Sequence, residues 1–208
     1  MATVHLLRHG EVFNPDHVLY GRLPGFKLSE LGERQALAAA EWLARHDIGH
    51  LASSPLERAQ QTAAPLAAKL GLDVVLDERL IEADNHLQGR NVAGGKGLFK
   101  DPANWRYFRN PFLPSWGEPY AKVAARVLAA VRAARDAAGG RDAACVSHQL
   151  PIVCARRSAN AQRLFHDPRR RECALASVTS FTFAGDDIVR VSYSEPAAAL
   201  PSGTGAGA

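Results

Sequence analysis

Apolar and polar positions along this chain switch repeatedly between a period of two and a period near 3.6. Residues 3–9, TVHLLRH, form a short apolar run with a β-branched residue and predict a first strand. Ser29 offers a helix N-cap, and Ala36, Leu37, Ala40 and Leu43 then recur at helical spacing. IGHLASS (48–54) predicts a second strand. SPLE (54–57) has the form of a capping box with Pro55 at the first helical position, and Leu56, Ala59, Ala63, Leu66 and Leu70 share the face of the helix it would start. LDVVLD (72–77) predicts a short third strand. Tyr120, Val123, Ala124, Val127, Leu128 and Val131 mark a long helix that Gly139-Gly140 stops. DAACVSH (142–148) predicts a further strand, and Pro151 a helix after it. ASVTSFTF (176–183) and IVRVSYS (188–194) flank Ala184-Gly185-Asp186-Asp187 and predict a terminal hairpin.

Strands that alternate with helices predict a three-layer α/β/α sandwich with a mostly parallel central sheet. One domain is expected over 1–195, since 208 residues suffice for one core. The irregular stretch 83–117 is rich in Gly, Pro, Asn and aromatics. Its length inside a compact domain predicts a cap over a substrate site. The tail 196–208, PAAALPSGTGAGA, is small and low in complexity and is expected to be disordered.

Composition narrows the function classes. A hydrophobic share of 47% with 22% charged residues is that of a soluble globular chain. The formal net charge of +4 is modest, and its only dense run, Arg169 to Arg171, reads as a solvated connection. A nucleic-acid partner would need a concentrated basic face. Cys145, Cys154 and Cys173 are widely spaced with no CxxC pair, which argues against a disulfide framework or zinc site and fits a reducing compartment. No apolar run approaches the length of a membrane span, and no signal peptide is visible. The expected location is cytoplasmic, with no membrane partner.

Candidate chemistry gathers where strands end. In parallel α/β sheets, ligands bind beyond the carboxyl ends of the strands. LLRHG and VSHQ each put a histidine there, His9 and His148, and Arg58 lies in the first turn after LASS. Arg8 and His9 side by side would repel unless an anion lies between them. Two guanidiniums suit a tetrahedral phosphate, since their forked donors bind its oxygens in pairs. Gly10 is expected to let the backbone approach the ligand. Each residue alone has an ordinary structural reading; four on one edge point to an anion site. A metal is not expected. His5 and His9 lie about 13 Å apart on one strand at roughly 3.3 Å per residue, and no ligand cluster such as HExxH is present.

Together, LLRHGEVFN, YGRLPGFKLSELGERQA, ASSPLERAQQTA, LIEADN, WGEPYAKVAARV and CVSHQLPI resemble the histidine phosphatase superfamily, the phosphoglycerate-mutase-like fold, over about residues 3–152. The resemblance implies a phosphohistidine mechanism without cofactor or metal. His9 matches the nucleophile, with one ring nitrogen held by a backbone carbonyl. Arg8, Arg58 and His148 match the groups that hold the phosphoryl oxygens. Asn14 matches a further phosphate contact, and Tyr20, Gly21, Arg22 and Gln149 fall at the substrate. Glu82 matches the general acid.

The chain also departs from the family pattern. His86 stands where glycine usually follows the acid, which leaves Asp84 as an alternative to Glu82. Gln149 replaces a common glycine, which narrows the pocket or adds a polar contact. GEP replaces GES ahead of the long helix, keeping Glu118. A small phosphorylated metabolite is the expected partner. A metal-independent acid-type phosphomonoesterase is the leading reading; a phosphoglycerate mutase and a non-catalytic phospholigand-binding protein are the alternatives.

Overall fold

Six strands form one sheet in the order β3-β2-β4-β1-β5-β6, and the computed structural model describes residues 1–91 and 117–200. The strands are β1 (Ala2–Arg8), β2 (Ile48–Ser53), β3 (Val74–Leu76), β4 (Asp142–Ser147), β5 (Val178–Ala184) and β6 (Asp187–Ser194). The first four are mutually parallel; β5 pairs antiparallel with β1 and with β6, giving the expected hairpin.

The period-two pattern divides the core into two layers. Val4, Leu6, Cys145 and Phe181 face α3 (Tyr120–Ala137) and α4 (Gln149–Ala159), whereas Leu7, Ala144, Val146 and Val178 face α1 (Glu30–Leu43) and α2 (Glu57–Leu70). Adjacent residues of one strand thus supply opposite cores, because successive Cβ atoms leave opposite faces. Both faces of the sheet are covered, so the central strands read as nearly continuous apolar runs.

The helix starts combine agreement and correction. Ser29 caps α1, its hydroxyl accepting from the Gly32 N–H at 3.0 Å. The expected capping box at 54–57 does not form. Helix α2 starts at Glu57 behind Leu56 with no side-chain cap, and the Ser54 hydroxyl bonds the His148 ring. Helix α4 starts two residues before Pro151, which therefore occupies a first-turn position where its missing N–H leaves no intrahelical bond unmade. Gly139 and Gly140 follow α3 with φ of 61° and 92°, ending the helix in the left-handed region that favours glycine.

The packed chain runs past residue 195. Residues 195–200 form turns, with Ala197 buried and Leu200 packed beside it on the α1/α2 core, so this part of the expected tail is ordered. Residues 201–208 lie outside the described residues, as do 92–116 of the expected cap.

Candidate active site

Strands β1 and β4 lie side by side with Arg8 opposite Ser147, so the chain leaves both at one edge of the sheet. The His9 N–H donates to the Ser147 carbonyl at 3.1 Å, and the Ser54 N–H, just past β2, donates to the Val146 carbonyl at 2.9 Å. Three strand ends are thereby tied into one floor. His9 and His148 are both fully buried there, with ring centroids 5.1 Å apart.

The His9 Nδ1 lies 2.7 Å from the Gly10 carbonyl oxygen. A carbonyl can only accept, so Nδ1 carries the proton and Nε2 keeps a lone pair. Nε2 has no hydrogen-bond partner among the described residues. Burial first, then the Arg58 and Arg8 cations, hold the imidazole pKa well below its ordinary value. A pKa lowered in this way favours the neutral ring.

Arg8 and Arg58 are buried, and neither forms an ion pair with a carboxylate among the described residues. Arg8 Nη1 donates to the Cys173 carbonyl and Arg58 Nη2 to the Gly21 carbonyl, each at 2.6 Å. The Arg58 guanidinium also lies over the Tyr20 ring, 4.7 Å from its centroid. The Nε of each arginine is unpartnered. A buried cation hydrogen-bonded only to dipoles is costly unless an anion completes the site.

His148 Nε2 lies 2.8 Å from the Ser54 Oγ, which also receives the Leu56 N–H at 3.4 Å. With that hydroxyl donating to Nε2, the unpartnered Nδ1 carries hydrogen and becomes a donor. Burial, Arg58, His9 and Arg8 push the His148 pKa well down, so His148 enters as a neutral donor and the arginines carry the charge.

Glu82 follows a 3₁₀ turn, Glu78–Leu80, and is 7% exposed. Burial raises its pKa against the Ala83 N–H bond (2.7 Å to Oε1) and the Arg58, Arg171 and Arg8 charges, which lower it. A clamp fixes the loop around it. Arg126 Nη1 donates to the Arg79 and Ile81 carbonyls at 2.6 and 2.7 Å, and Arg22 Nε to the Glu82 carbonyl at 2.7 Å. Glu118 pairs with both arginines, at 3.1 Å to Arg22 and 3.0 Å to Arg126, while its own N–H holds the Asp84 carbonyl.

Gly10, Asn14 and Arg22 also make contacts within the fold. Gly10 is needed for packing, because a Cβ there would collide with the Gly32 carbonyl of α1. Its N–H donates to Thr62 Oγ1, which in turn donates to the Arg58 carbonyl, locking the two motifs together. The Asn14 carboxamide closes its own loop, accepting from the Val18 N–H and donating to the Val18 carbonyl. Arg22 braces the Glu82 loop through the clamp. Tyr20, Gly21, Glu82 and Asp84 do line one cleft, with Leu19, Ala83, Asn85, Gly117, Glu118, Leu150 and Arg171.

Arg171 is the residue that sequence reasoning missed. Arg169 and Arg170 are exposed as the solvated run implied, but Arg171 turns inward. Its Nη1 donates to Gln149 Oε1 at 3.2 Å, so the glutamine in place of glycine does add a polar contact. Three successive arginines carry no period that singles one out. The only signal was Cys173 two residues on, whose burial fixes the face this segment turns inward.

The sequence profile of the histidine phosphatase superfamily (branch 1) matches residues 4–196. The "Uncharacterized protein Rv0525" of Mycobacterium tuberculosis is 55% identical over 197 residues, 95% of this chain and 98% of its own. A Cronobacter sakazakii protein named "Probable phosphoglycerate mutase GpmB" is 33% identical over 159 residues, 74% of this chain and 73% of its own. Among solved structures, a mycobacterial glucosyl-3-phosphoglycerate phosphatase complexed with VO3 matches 93% of this chain and 97% of its own, with a TM-score of 0.73 and 29% identity.

Proposed function

The chain belongs to the histidine phosphatase superfamily, and from that premise we propose that it hydrolyses a small phosphomonoester through a phosphohistidine at His9. The carrying observation is the state of that ring: buried, neutral, one nitrogen tied to a carbonyl and the other unpartnered. The His9 Nε2 lone pair forms the N–P bond as the ester O–P bond breaks. Arg8, Arg58 and His148 receive the phosphoryl oxygens. Glu82, whose pKa burial raises, gives its proton to the departing alkoxide. Water then attacks phosphorus, Glu82 takes its proton, and the P–N bond breaks to release phosphate.

Magnitudes favour this division. A charge at 4 Å is worth about 4 kcal/mol at an effective dielectric of 20 before desolvation, and two arginines supply such charges to a dianion. Charge stabilisation is the main demand of phosphoryl transfer. The proposal needs no metal. Turnover of p-nitrophenyl phosphate is therefore expected to survive exhaustive EDTA treatment; loss restored only by Zn²⁺ or Mg²⁺ would contradict it.

The likeness to proteins named as phosphoglycerate mutases supports a second reading, transfer of the phosphoryl group to another hydroxyl. Partition of label from the phosphoenzyme between water and added alcohols separates the two.

A further inference from the structure

The inward-facing arginines fall into two groups. Arg22, Arg126, Arg135 and Arg156 each meet a carboxylate within 3.1 Å. Arg8, Arg58 and Arg171 form no ion pair among the described residues, nor does the half-buried Arg157, whose Nε donates to the Arg163 carbonyl. The first two surround His9 and are accounted for by the phosphoryl group. Arg171 lies elsewhere, on the wall of the cleft that also holds Glu82.

Arg171 is held in place by neutral groups. Its Nε donates to His166 Nε2 at 2.9 Å, and Nη1 donates to Gln149 Oε1. The His166 Nδ1 lies 2.6 Å from the Leu164 carbonyl and so carries the proton, leaving Nε2 as a neutral acceptor. A guanidinium has five N–H donors. Two are spent on these braces, and three have no hydrogen-bond acceptor among the described residues, Glu82 acting on Arg171 by charge alone.

The position of Glu82 gives the cleft its orientation. A general acid contacts the leaving oxygen, so the cleft beyond it receives the alcohol part of the ester. That cleft is partly open to solvent, with a cavity volume of about 90 Å³. Leu19, Ala83 and Leu150 give it apolar wall, and Asp84 lies on the same wall. A nearby carboxylate opposes a second dianion more than a singly charged group. A planar, two-oxygen anion also matches the guanidinium fork.

We propose that Arg171, braced by His166 and Gln149, is a specificity-determining residue that binds a carboxylate on the alcohol part of the substrate. This rests on the hydrolase reading above, in which Glu82 marks the leaving-group side.

The test uses ω-phosphooxy carboxylates with one to three carbons between the ester oxygen and the carboxyl, each beside its uncharged amide, with p-nitrophenyl phosphate as reference. The wild-type protein is expected to favour at least one acid over its amide by about tenfold or more in kcat/KM, the range of a charge-assisted pair. In Arg171→Gln that ratio falls to near one, and in Arg171→Lys part of it is retained. Because each ratio compares two esters on one protein, a general loss of activity cancels. Ratios near one across the wild-type series, with the aryl ester still hydrolysed, overturn the inference and leave the hydrolase reading standing. A ratio unchanged in Arg171→Gln removes Arg171 from the role. Stronger preference for a bisphosphate of the same chain length overturns the carboxylate assignment. No turnover of any ester, the reference included, brings down both readings.

Discussion

In the proposed mechanism, Glu82 and Arg58 divide the work between the two ends of the bond that breaks: Glu82 serves the leaving oxygen, and Arg58 the transferred group. Nitrophenolate departs without a proton and an alkoxide does not, so Glu82→Gln is expected to slow an alkyl phosphate by about 10²–10⁴-fold and p-nitrophenyl phosphate much less. Arg58→Ala is expected to impair both esters to a similar degree. kcat/KM for the two esters in both variants checks this. Equal losses in Glu82→Gln would pass the acid role to Asp84, which shares the cleft. That His9, Arg8, Arg58, His148 and Glu82 come together was legible, because a phosphoryl site calls for those side chains. The contacts that Gly10, Asn14 and Arg22 make within the fold were not. A motif states which residue is present, and only the packed chain decides whether it turns to ligand, loop or neighbouring helix.

Among the elements, the Glu82 loop owes its position to helix α3 and the turn before it. Arg126 on that helix and Arg22 opposite hold three successive parts of the loop, and Glu118 links the two arginines. Glu118→Gln weakens both pairs and frees the loop. It is expected to lower the alkyl-to-aryl activity ratio in the same direction as Glu82→Gln, by a smaller factor, with Glu118→Asp restoring part. A fall in Tm with that ratio unchanged would make the clamp merely structural. This clamp was invisible to periodicity, since the loop carbonyls lie 45 residues or more from the arginines that hold them, and Arg22 lies 96 residues from Glu118. The failed capping box at Ser54 has a similar cause. Its hydroxyl is drawn to His148, 94 residues away, and a tertiary hydrogen bond overrides the local one.

For the whole molecule, the layered α/β plan was legible because strands and helices bury their faces at different periods. The strand order was not, since β1, β2 and β4 carry similar apolar runs and nothing local says which is central. Residues 196–200 misled through composition: small residues look uncommitted until Ala197 meets the α1/α2 core. The buried histidines also give the fold a pH dependence. His5, packed against Trp42 and His46 with Asp142 and Ser180 beside it, has its pKa lowered to about 4, chiefly by burial. A folded-state pKa below the unfolded value of 6.5 means the unfolded chain takes the proton first. Stability from this group is full above pH 6.5 and is lost as pH falls toward 4. The slope of unfolding free energy against pH is expected to be shallower in His5→Gln, by up to one proton, over that window. An unchanged slope would assign the acid sensitivity to other groups.

The central claim is covalent chemistry at one imidazole. Rapid acid-free denaturation during turnover of a ³²P-labelled ester, followed by peptide mapping, tests it most directly. The account predicts a base-stable, acid-labile phosphoryl label on the peptide containing His9, absent from His9→Ala along with turnover. Wild-type turnover by His9→Ala, or a label on another residue, would contradict it.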